Sequence, residues 1–264
     1  MDFSVKDFNV RLRTIRLREL IIAVVISFFL TGFVENYFNV SSGELEYILF
    51  FCFMMVFFLI ATYGTTGFNK DFDDLFKPSN FLRVLILAIS NMLIAFLIQS
   101  LMSPLDSVLG LISSISMPLS DVGYGATDPL IFLFEFFSAI VIAPISEELF
   151  FRGVLFNRLK IRTGVIAAML ISSTIFALGH EFGGIISAFL FGMCMCIIYL
   201  KTDNILMTMS IHFINNLVAV FLEAGNLDAF LFQMPFLPIT LLVSVISGLL
   251  IILYIFKETK RLTA

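Results

Sequence analysis

Tryptophan is absent from the 264 residues, and charged residues make up only 14% of them, compared with about 25% in soluble domains. Hydrophobic residues make up 59%, and the mean hydropathy is +1.03. This shortage of charge excludes an ordinary soluble protein and predicts an all-α, polytopic integral membrane protein. Tyrosine and phenylalanine must then take the interfacial positions that tryptophan often occupies. The six tyrosines, Tyr47 among them, all fall near the ends of apolar runs.

Cysteine and histidine are scarce as well. Cys52, Cys194 and Cys196 lie within apolar runs and form neither a disulfide framework nor a paired-cysteine metal motif. The only two histidines, His180 and His212, are far apart, and no HExxH motif is present. We therefore expect no metal and no other cofactor, with zinc bound by a glutamate and both histidines as the less favoured alternative. Nothing in the chain indicates binding to nucleic acid.

Long apolar runs predict eight membrane-spanning helices, since one span takes about 20 mostly apolar residues. They are Leu20–Tyr37, Leu45–Tyr63, Leu82–Met102, Pro129–Phe151, Gly164–Gly179, Gly184–Tyr199, Ile205–Leu222 and Phe236–Phe256. With the N-terminus inside, all 16 Lys and Arg residues lie in cytoplasmic segments, and the outer segments 36–44, 103–128, 180–183 and 223–235 hold none. The positive-inside rule thus predicts cytoplasmic termini for a single membrane domain, residues 1–264.

Two connecting segments are distinctive. The segment 103–128 is predicted to be an extracytoplasmic loop, because prolines, glycines and aspartates interrupt it. Its apolar middle suits an amphipathic helix lying on the outer surface. The inner segment Gly64–Asn80, which carries three aspartates, is predicted to be a solvated loop.

Two adjacent carboxylates and an arginine stand in the apolar segment Pro144–Gly153. Ionisable groups inside a membrane are costly and mark functional sites. Glu148 precedes Arg152 by four residues, which is the favourable order for an ion pair on a helix. Glu147 is rotated by about 100° from Glu148 and stays free for chemistry. The alternative is a Glu–Arg pair that merely closes the cytoplasmic end of a helix.

Further polar groups lie on other predicted spans. His212 and Asn216 stand four residues apart, on one side of a helix, and hydrogen bonding between helices would explain them without catalysis. His180 could likewise be an interfacial histidine. Together with Glu147 and Glu148, however, these groups suit the activation of water. A carboxylate in an apolar wall is a stronger base, and neutral His and Asn can donate hydrogen bonds to an oxyanion.

Three sequence motifs resemble those of the CAAX-protease and bacteriocin-processing (Abi) family of intramembrane glutamic endopeptidases, and they follow one another in the family's order. The motif EExxxR spans Glu147–Arg152, FxxxH spans Phe176–His180, and HxxxN spans His212–Asn216. The likeness covers a motif-bearing catalytic core of residues 129–220.

The resemblance implies a role for each site residue. Glu147 would be the general base, and His180 would help to polarise the attacking water. His212 and Asn216 would form the oxyanion hole. Glu148 and Arg152 would support the site by holding its helix ends and its charge. Counting about 1.5 Å per residue leaves His180 near the outer face. It could then meet Glu147 only through a tilted or broken fifth span, or through a fourth helix that continues to Arg158.

The expected activity is hydrolysis of a peptide bond in a membrane-associated protein or peptide, without a covalent intermediate, in the plasma membrane of a bacterium. The competing class is a non-catalytic scaffold, regulator or bacteriocin-immunity protein of the same family, with a membrane or cell-wall enzyme as partner. A transporter is less favoured, because the polar groups are confined to the second half of the chain.

Overall fold

The structure is a computed structural model that describes residues 1–39, 43–108, 133, 136–180, 184–225, 230–231 and 233–263. These residues form helices and no strand; one isolated bridge joins Asp7 and Thr66. The long and short helices, in chain order, are α1 (Phe8–Thr14), α2 (Leu17–Phe38), α3 (Gly43–Thr62), α4 (Phe68–Leu75), α5 (Pro78–Val108), α6 (138–163), α7 (Val165–Leu178), α8 (Ile185–Thr202), α9 (Ile205–Ala224) and α10 (Leu237–Thr263).

Helix α6 carries the paired glutamates and is irregular. It alternates two π-helical segments, Ser138–Ile142 and Leu149–Phe156, with two α-helical segments, Ala143–Glu148 and Asn157–Thr163. A π-helical turn inside an α-helix is rare and is frequent at functional sites. Glu147 and Glu148 end the α-helical segment between the two π-helical ones.

Five helices in the described ranges are long and apolar enough to cross a membrane. They are Leu17–Phe38, Leu45–Thr62, Ile185–Thr202, Ile205–Leu222 and Leu237–Leu262. These coincide with five predicted spans. Helix α5 covers the predicted span Leu82–Met102, and α7 covers all but the two end residues of Gly164–Gly179. Helix α6 contains residues 138–151 of the predicted span Pro129–Phe151, of which 129–132, 134 and 135 lie outside the described residues. The all-helical, multi-pass character is therefore confirmed. The count of eight and the cytoplasmic termini stay predictions.

The two predicted connecting segments have different outcomes. The prediction of a loop over Gly64–Asn80 is wrong for eleven residues, of which eight form α4 and the last three, 78–80, begin α5. Tertiary contacts hold α4 in place. The carboxylate of Asp71 accepts a hydrogen bond from the side chain of Asn9 at 2.5 Å, and its backbone carbonyl accepts another from the side chain of Asn204 at 2.7 Å. Of the predicted outer loop, residues 109–128 lie outside the described residues, and α5 continues the helix to Val108.

The segment before α2 folds back on one end of the bundle, which we call the α1 end. Arg11 in α1 is 1% exposed. Its guanidinium donates to the carbonyls of Val5 at 2.7 Å, Tyr63 at 2.8 Å and Phe3 at 3.0 Å. Three backbone carbonyls thus satisfy a buried cation, which would otherwise be very costly.

The turn between α8 and α9 lies at this same end. Arg13 of α1 forms an ion pair with Asp203, whose φ of 52° lets the chain reverse. Its guanidinium also lies 5.8 Å from the ring centre of Tyr199. The hydroxyl of Tyr199 accepts a hydrogen bond from Asn157 of α6 at 3.3 Å. Helices α1, α6 and α8 are therefore joined at one level of the bundle.

Helices α7 and α8 approach closely where Gly192 faces Ser173. A Cβ atom added to Gly192 would lie 2.9 Å from the Cβ of Ser173 and 3.1 Å from its Cα. Small residues allow membrane helices to pack this closely. The contact fixes α7, and the residues that follow it, against the core of the bundle.

We expect Gly192→Ala to destabilise the protein by about 1–3 kcal/mol, because the added methyl group overpacks the contact. The measurement is thermal unfolding of the purified protein in detergent. Gly32→Ala in α2 is the matched control, since no heavy atom lies within 4 Å of its added Cβ. If both variants unfold at the same temperature, the close approach of α7 and α8 is wrong.

Candidate active site

Glu148 lies at the centre of the polar cluster and is fully buried. Its Oε1 lies 2.8 Å from Nη1 of Arg152, and the two side chains are 0% and 1% exposed. A second guanidinium nitrogen of Arg152 donates to the carbonyl of Gly192 at 3.5 Å. Burial of an ion pair is tolerable only with good geometry and further hydrogen bonds. The pair therefore depends on the close packing of α8 against α7.

His212 on α9 lies between the two carboxylates. Its Nδ1 is 3.1 Å from Oε1 of Glu148, and its Nε2 is 3.7 Å from Oε2 of Glu147. An ionised carboxylate can only accept, so the Nδ1 of His212 donates to Glu148. The imidazole is then held in one orientation, with Nε2 directed at Glu147.

Glu147 is the accessible carboxylate of the pair. Its side chain is 14% exposed, whereas that of Glu148 is 0% exposed. The hydroxyl of Tyr47, on α3, donates to Oε1 of Glu147 at 3.5 Å. One glutamate is thus neutralised inside the protein, and the other faces open space.

That space is a cavity of about 190 Å³ beside α6. Its lining is apolar apart from three residues. The lining residues are Val24, Phe50, Phe51, Met54, Ser146, Glu147, Phe150, Phe151, Phe176, Gly179 and His180. The cavity brings Glu147 and His180 to one volume of low polarity, where electrostatic interactions are strong.

Glu147 and His180 share this cavity because α6 and α7 form a hairpin around Gly164. Glu147 precedes that glycine by 17 residues and His180 follows it by 16. Of the two arrangements expected to bring these residues together, the structure has the second, because α6 continues past Arg158 to Thr163.

His180 presents one nitrogen to the cavity. Its Nδ1 lies 3.0 Å from the carbonyl of Phe176, which can only accept, so Nδ1 carries the hydrogen. In the neutral ring Nε2 is then an acceptor. This arrangement suits an imidazole that receives a hydrogen bond from water.

Phe176 touches the polar groups of all three motifs. The guanidinium of Arg152 lies 4.6 Å from its ring centre. The ring centres of His180 and His212 lie 4.7 and 5.8 Å away. A phenylalanine at the start of FxxxH is therefore part of the site rather than a lipid-facing residue.

Asn216 is drawn into a chain of amides. Its Nδ2 donates to the carbonyl of Ala139 on α6 at 2.9 Å, and its Oδ1 accepts from Asn215 at 3.3 Å. Asn91 on α5 donates to Asn215 at 3.0 Å. In this structure Asn216 ties α9 to the first π-helical segment of α6, and its part in an oxyanion hole stays a prediction.

Sequence reasoning missed three residues of this region. Asn91 carries a signal, since an amide in the middle of an apolar run needs a partner inside the membrane. Asn215 is directly beside the motif residue Asn216. Tyr47 carries no such signal, because a tyrosine near the end of a span is ordinarily an interfacial anchor.

The part of the chain that the structure describes contains no group of three or more His, Cys, Asp and Glu side chains arranged to hold a metal ion. Both nitrogens of His212 face carboxylates, and Nδ1 of His180 is bound to a backbone carbonyl. Of the four histidine nitrogens, only Nε2 of His180 is left to bind a metal, beside the carboxylate of Glu147. These side chains do not fit a zinc site as they stand.

Comparison with known families places the motifs in context. Residues 129–218 match the family described as Rce1-like, type II CAAX prenyl endopeptidase. The match covers less than half of the chain, includes all three motifs, and confirms the resemblance to the CAAX-protease family. The matched family is a family of membrane proteases, which are hydrolases. No curated protein and no solved structure matches the chain.

We expect Arg152→Met to lower the free energy of unfolding by about 3–5 kcal/mol, because it leaves the charge of Glu148 buried without its partner. The double variant Glu148→Gln, Arg152→Met should regain part of that loss. Unfolding in detergent, by heat or denaturant, measures both.

Lys201→Met is the matched control for this experiment. Its ammonium lies 3.1 Å from Glu258, and its side chain is 36% exposed. Pairs near the surface contribute about 0–1 kcal/mol. Glu258 is only 9% exposed, but it keeps Arg261 as a second partner at 3.0 Å, so the loss should be small. Equal losses for Arg152→Met and Lys201→Met would contradict the buried ion pair.

Proposed function

From the match of residues 129–218 to the Rce1-like family, we propose that this protein is an intramembrane endopeptidase. It hydrolyses a peptide bond of a membrane-associated protein or peptide, with water activated by a glutamate. One observation carries the proposal: Glu147 and His180 line one apolar cavity, while His212 joins Glu147 to the buried Glu148–Arg152 pair. Helix packing alone does not explain why the carboxylate of Glu148 is neutralised while that of Glu147 is accessible.

The reaction starts with a water molecule between Glu147 and His180. The carboxylate of Glu147 takes one proton of the water as the oxygen attacks the carbonyl carbon of the substrate. Nε2 of His180 accepts a hydrogen bond from the other hydrogen and so orients the attack. The protonated Glu147 then delivers its proton to the amide nitrogen as the C–N bond breaks. The products are a free carboxylate and a free amine, and no covalent intermediate forms.

The oxyanion of the tetrahedral intermediate needs a donor. A His212 ring that carries hydrogen on both nitrogens suits this role, because Nδ1 then donates to Glu148 while Nε2 faces Glu147. Its Nε2–H can then donate a hydrogen bond to Glu147 in the resting enzyme and to the oxyanion during the reaction. Asn216 contributes through its second amide hydrogen or by holding α6. Arg152 keeps Glu148 ionised and thereby keeps His212 in position.

No metal takes part in this scheme. If one bound, Nε2 of His180 and the oxygens of Glu147 would have to supply the ligands, and His212 would have to turn away from a carboxylate. The chelator arm of the experiment below tests this point directly.

The chain crosses the membrane eight times with both termini in the cytoplasm, and the membrane is the plasma membrane of a bacterium. The absence of Lys and Arg from every predicted outer segment supports this topology. The α1 end of the bundle then faces the cytoplasm. Glu148 precedes Asn157 by nine residues and His212 follows Asn204 by eight. At about 1.5 Å per residue of α-helix, His212 lies about 12 Å above that end, and Glu148, which His212 contacts at 3.1 Å, lies at a similar depth.

We expect Glu147→Gln to lower the rate of peptide cleavage by roughly 10²–10⁴-fold, the usual contribution of a general base. His212→Ala should cost at least about 10²-fold, as for the loss of an oxyanion donor. The readout is cleavage of a library of membrane-associated peptides by the full-length protein in detergent, followed by mass spectrometry. A chelator should have no effect on the wild type.

Ser146→Ala is the control, since Ser146 lines the same cavity and has no assigned role. Thermal unfolding must show that all variants are folded. Loss of wild-type activity in chelator would replace the glutamate–water scheme by a metal-dependent one. If the wild type does not cleave, and both variants restore the phenotype of a deletion strain, the protein acts as a scaffold or immunity factor instead.

We expect green fluorescent protein fused after Ala264 to fluoresce, because the C-terminus lies in the cytoplasm. Alkaline phosphatase joined after Gly225 should be active, and the same enzyme joined after Thr202 should be inactive, since phosphatase folds only outside the cytoplasm. Active phosphatase after Thr202 would contradict the eight-span topology.

A further inference from the structure

Four arginines surround a second cavity, at the junction between α1 and α2. Arg16 and Arg18 approach it from this junction, and Arg158 and Arg162 approach it from the last segment of α6. The cavity measures about 450 Å³, within the range of roughly 300–1,000 Å³ found for ligand sites. It lies apart from the Glu147 cavity and shares no lining residue with it.

The positive charge of this arginine cavity is crowded. Arg158 is half-buried, and its Nε donates to the carbonyl of Ile15 at 2.6 Å, which fixes the guanidinium. Burial lowers the pKa of Arg158, and so do the neighbouring charges of Arg16 and Arg162, whereas Glu19 has the opposite effect. Bringing several guanidinium groups together costs free energy, and a bound anion would recover it.

One carboxylate lies near the cluster. Both oxygens of Glu19 lie 2.7 Å from the amino group of Met1, and Oε2 also accepts a hydrogen bond from the backbone N–H of Arg16 at 2.8 Å. Glu19 is thus already engaged by other donors. Against its single negative charge stand four arginines, so the cavity keeps a net positive charge.

The position of the cavity relative to the membrane suggests its ligand. The membrane-crossing helix α2 begins at Leu17, so Arg16 and Arg18 stand at the level of the lipid headgroups. Ile161, on the wall of the cavity, is 72% exposed, and Ile21 and Ile22, one turn further along α2, are 54% and 56% exposed. The positively charged cavity therefore lies beside an apolar surface. This combination suits an amphiphilic ligand better than a free anion.

We propose that this cavity binds the headgroup of an anionic phospholipid, with the phosphate held by Arg16, Arg18, Arg158 and Arg162. Guanidinium groups bind phosphate oxygens in pairs, through parallel N–H donors, and basic pockets between membrane helices bind anionic headgroups. The backbone N–H groups at the start of α2 add to the attraction. The bound lipid would fasten the α1–α2 junction to α6, the helix that carries Glu147.

The test compares lipids by their effect on thermal unfolding of the full-length protein in detergent. We expect added phosphatidylglycerol to raise the unfolding temperature in a saturable way, and phosphatidylcholine to have little effect. The double variant Arg18→Gln, Arg162→Gln should weaken the apparent affinity roughly tenfold or more, since each basic residue near an anionic surface contributes substantially. Both arginines are exposed and bond to no other described residue, so their removal should leave the fold intact.

Two further arms separate the proposal from its competitors. The double variant Lys70→Gln, Lys257→Gln removes the same charge from exposed positions outside the cavity and should keep the wild-type response. Inorganic phosphate should not reproduce the shift. A full shift with phosphate alone, an equal shift with phosphatidylcholine, or an equal loss in both double variants would overturn the proposal. None of these readouts depends on protease activity.

Discussion

The site depends on one buried interaction, the contact of Glu148 with both Arg152 and His212. A carboxylate that is 0% exposed in the middle of a membrane protein cannot stay ionised without a cation. Arg152 supplies it from one helical turn away, at 2.8 Å. Once Glu148 is charged, it fixes the ring of His212 at 3.1 Å. The orientation of the reactive groups therefore follows from how one charge is compensated.

Five of the eight predicted spans agree with α2, α3, α7, α8 and α9 to within three residues at each end, because hydropathy reports directly on burial in lipid. The same reasoning missed α4 in the segment Gly64–Asn80. Its eight residues are held by the bonds of Asp71 to Asn9 and Asn204. Such contacts join residues more than 60 and 130 positions apart in the chain, and no local pattern announces them.

The site was predictable in its parts and only partly in its arrangement. The i, i+4 spacing of Glu148 and Arg152 predicts their contact, since one helix carries both. The depth of His180 in the membrane was harder to predict, because counting residues from the membrane surface assumes that every span is equally long. Counting from the turn at Gly164 predicts that Glu147 and His180 are neighbours, because residues at equal distances from a hairpin turn lie side by side. The bond of Asn216 to the carbonyl of Ala139 and the bond of Asn215 to Asn91 could not be predicted, because these partners belong to α6 and α5.

Phe176 explains why an aromatic residue opens the second motif. Its ring contacts the guanidinium of Arg152 and the rings of His180 and His212, and these contacts use two properties of the ring. The electron-rich face attracts the cation, and the ring edges and faces suit tilted aromatic pairs. Its backbone carbonyl also fixes the tautomer of His180. A leucine would fill a similar volume but would leave Arg152 without an aromatic face, so the three motifs are coupled through this one side chain.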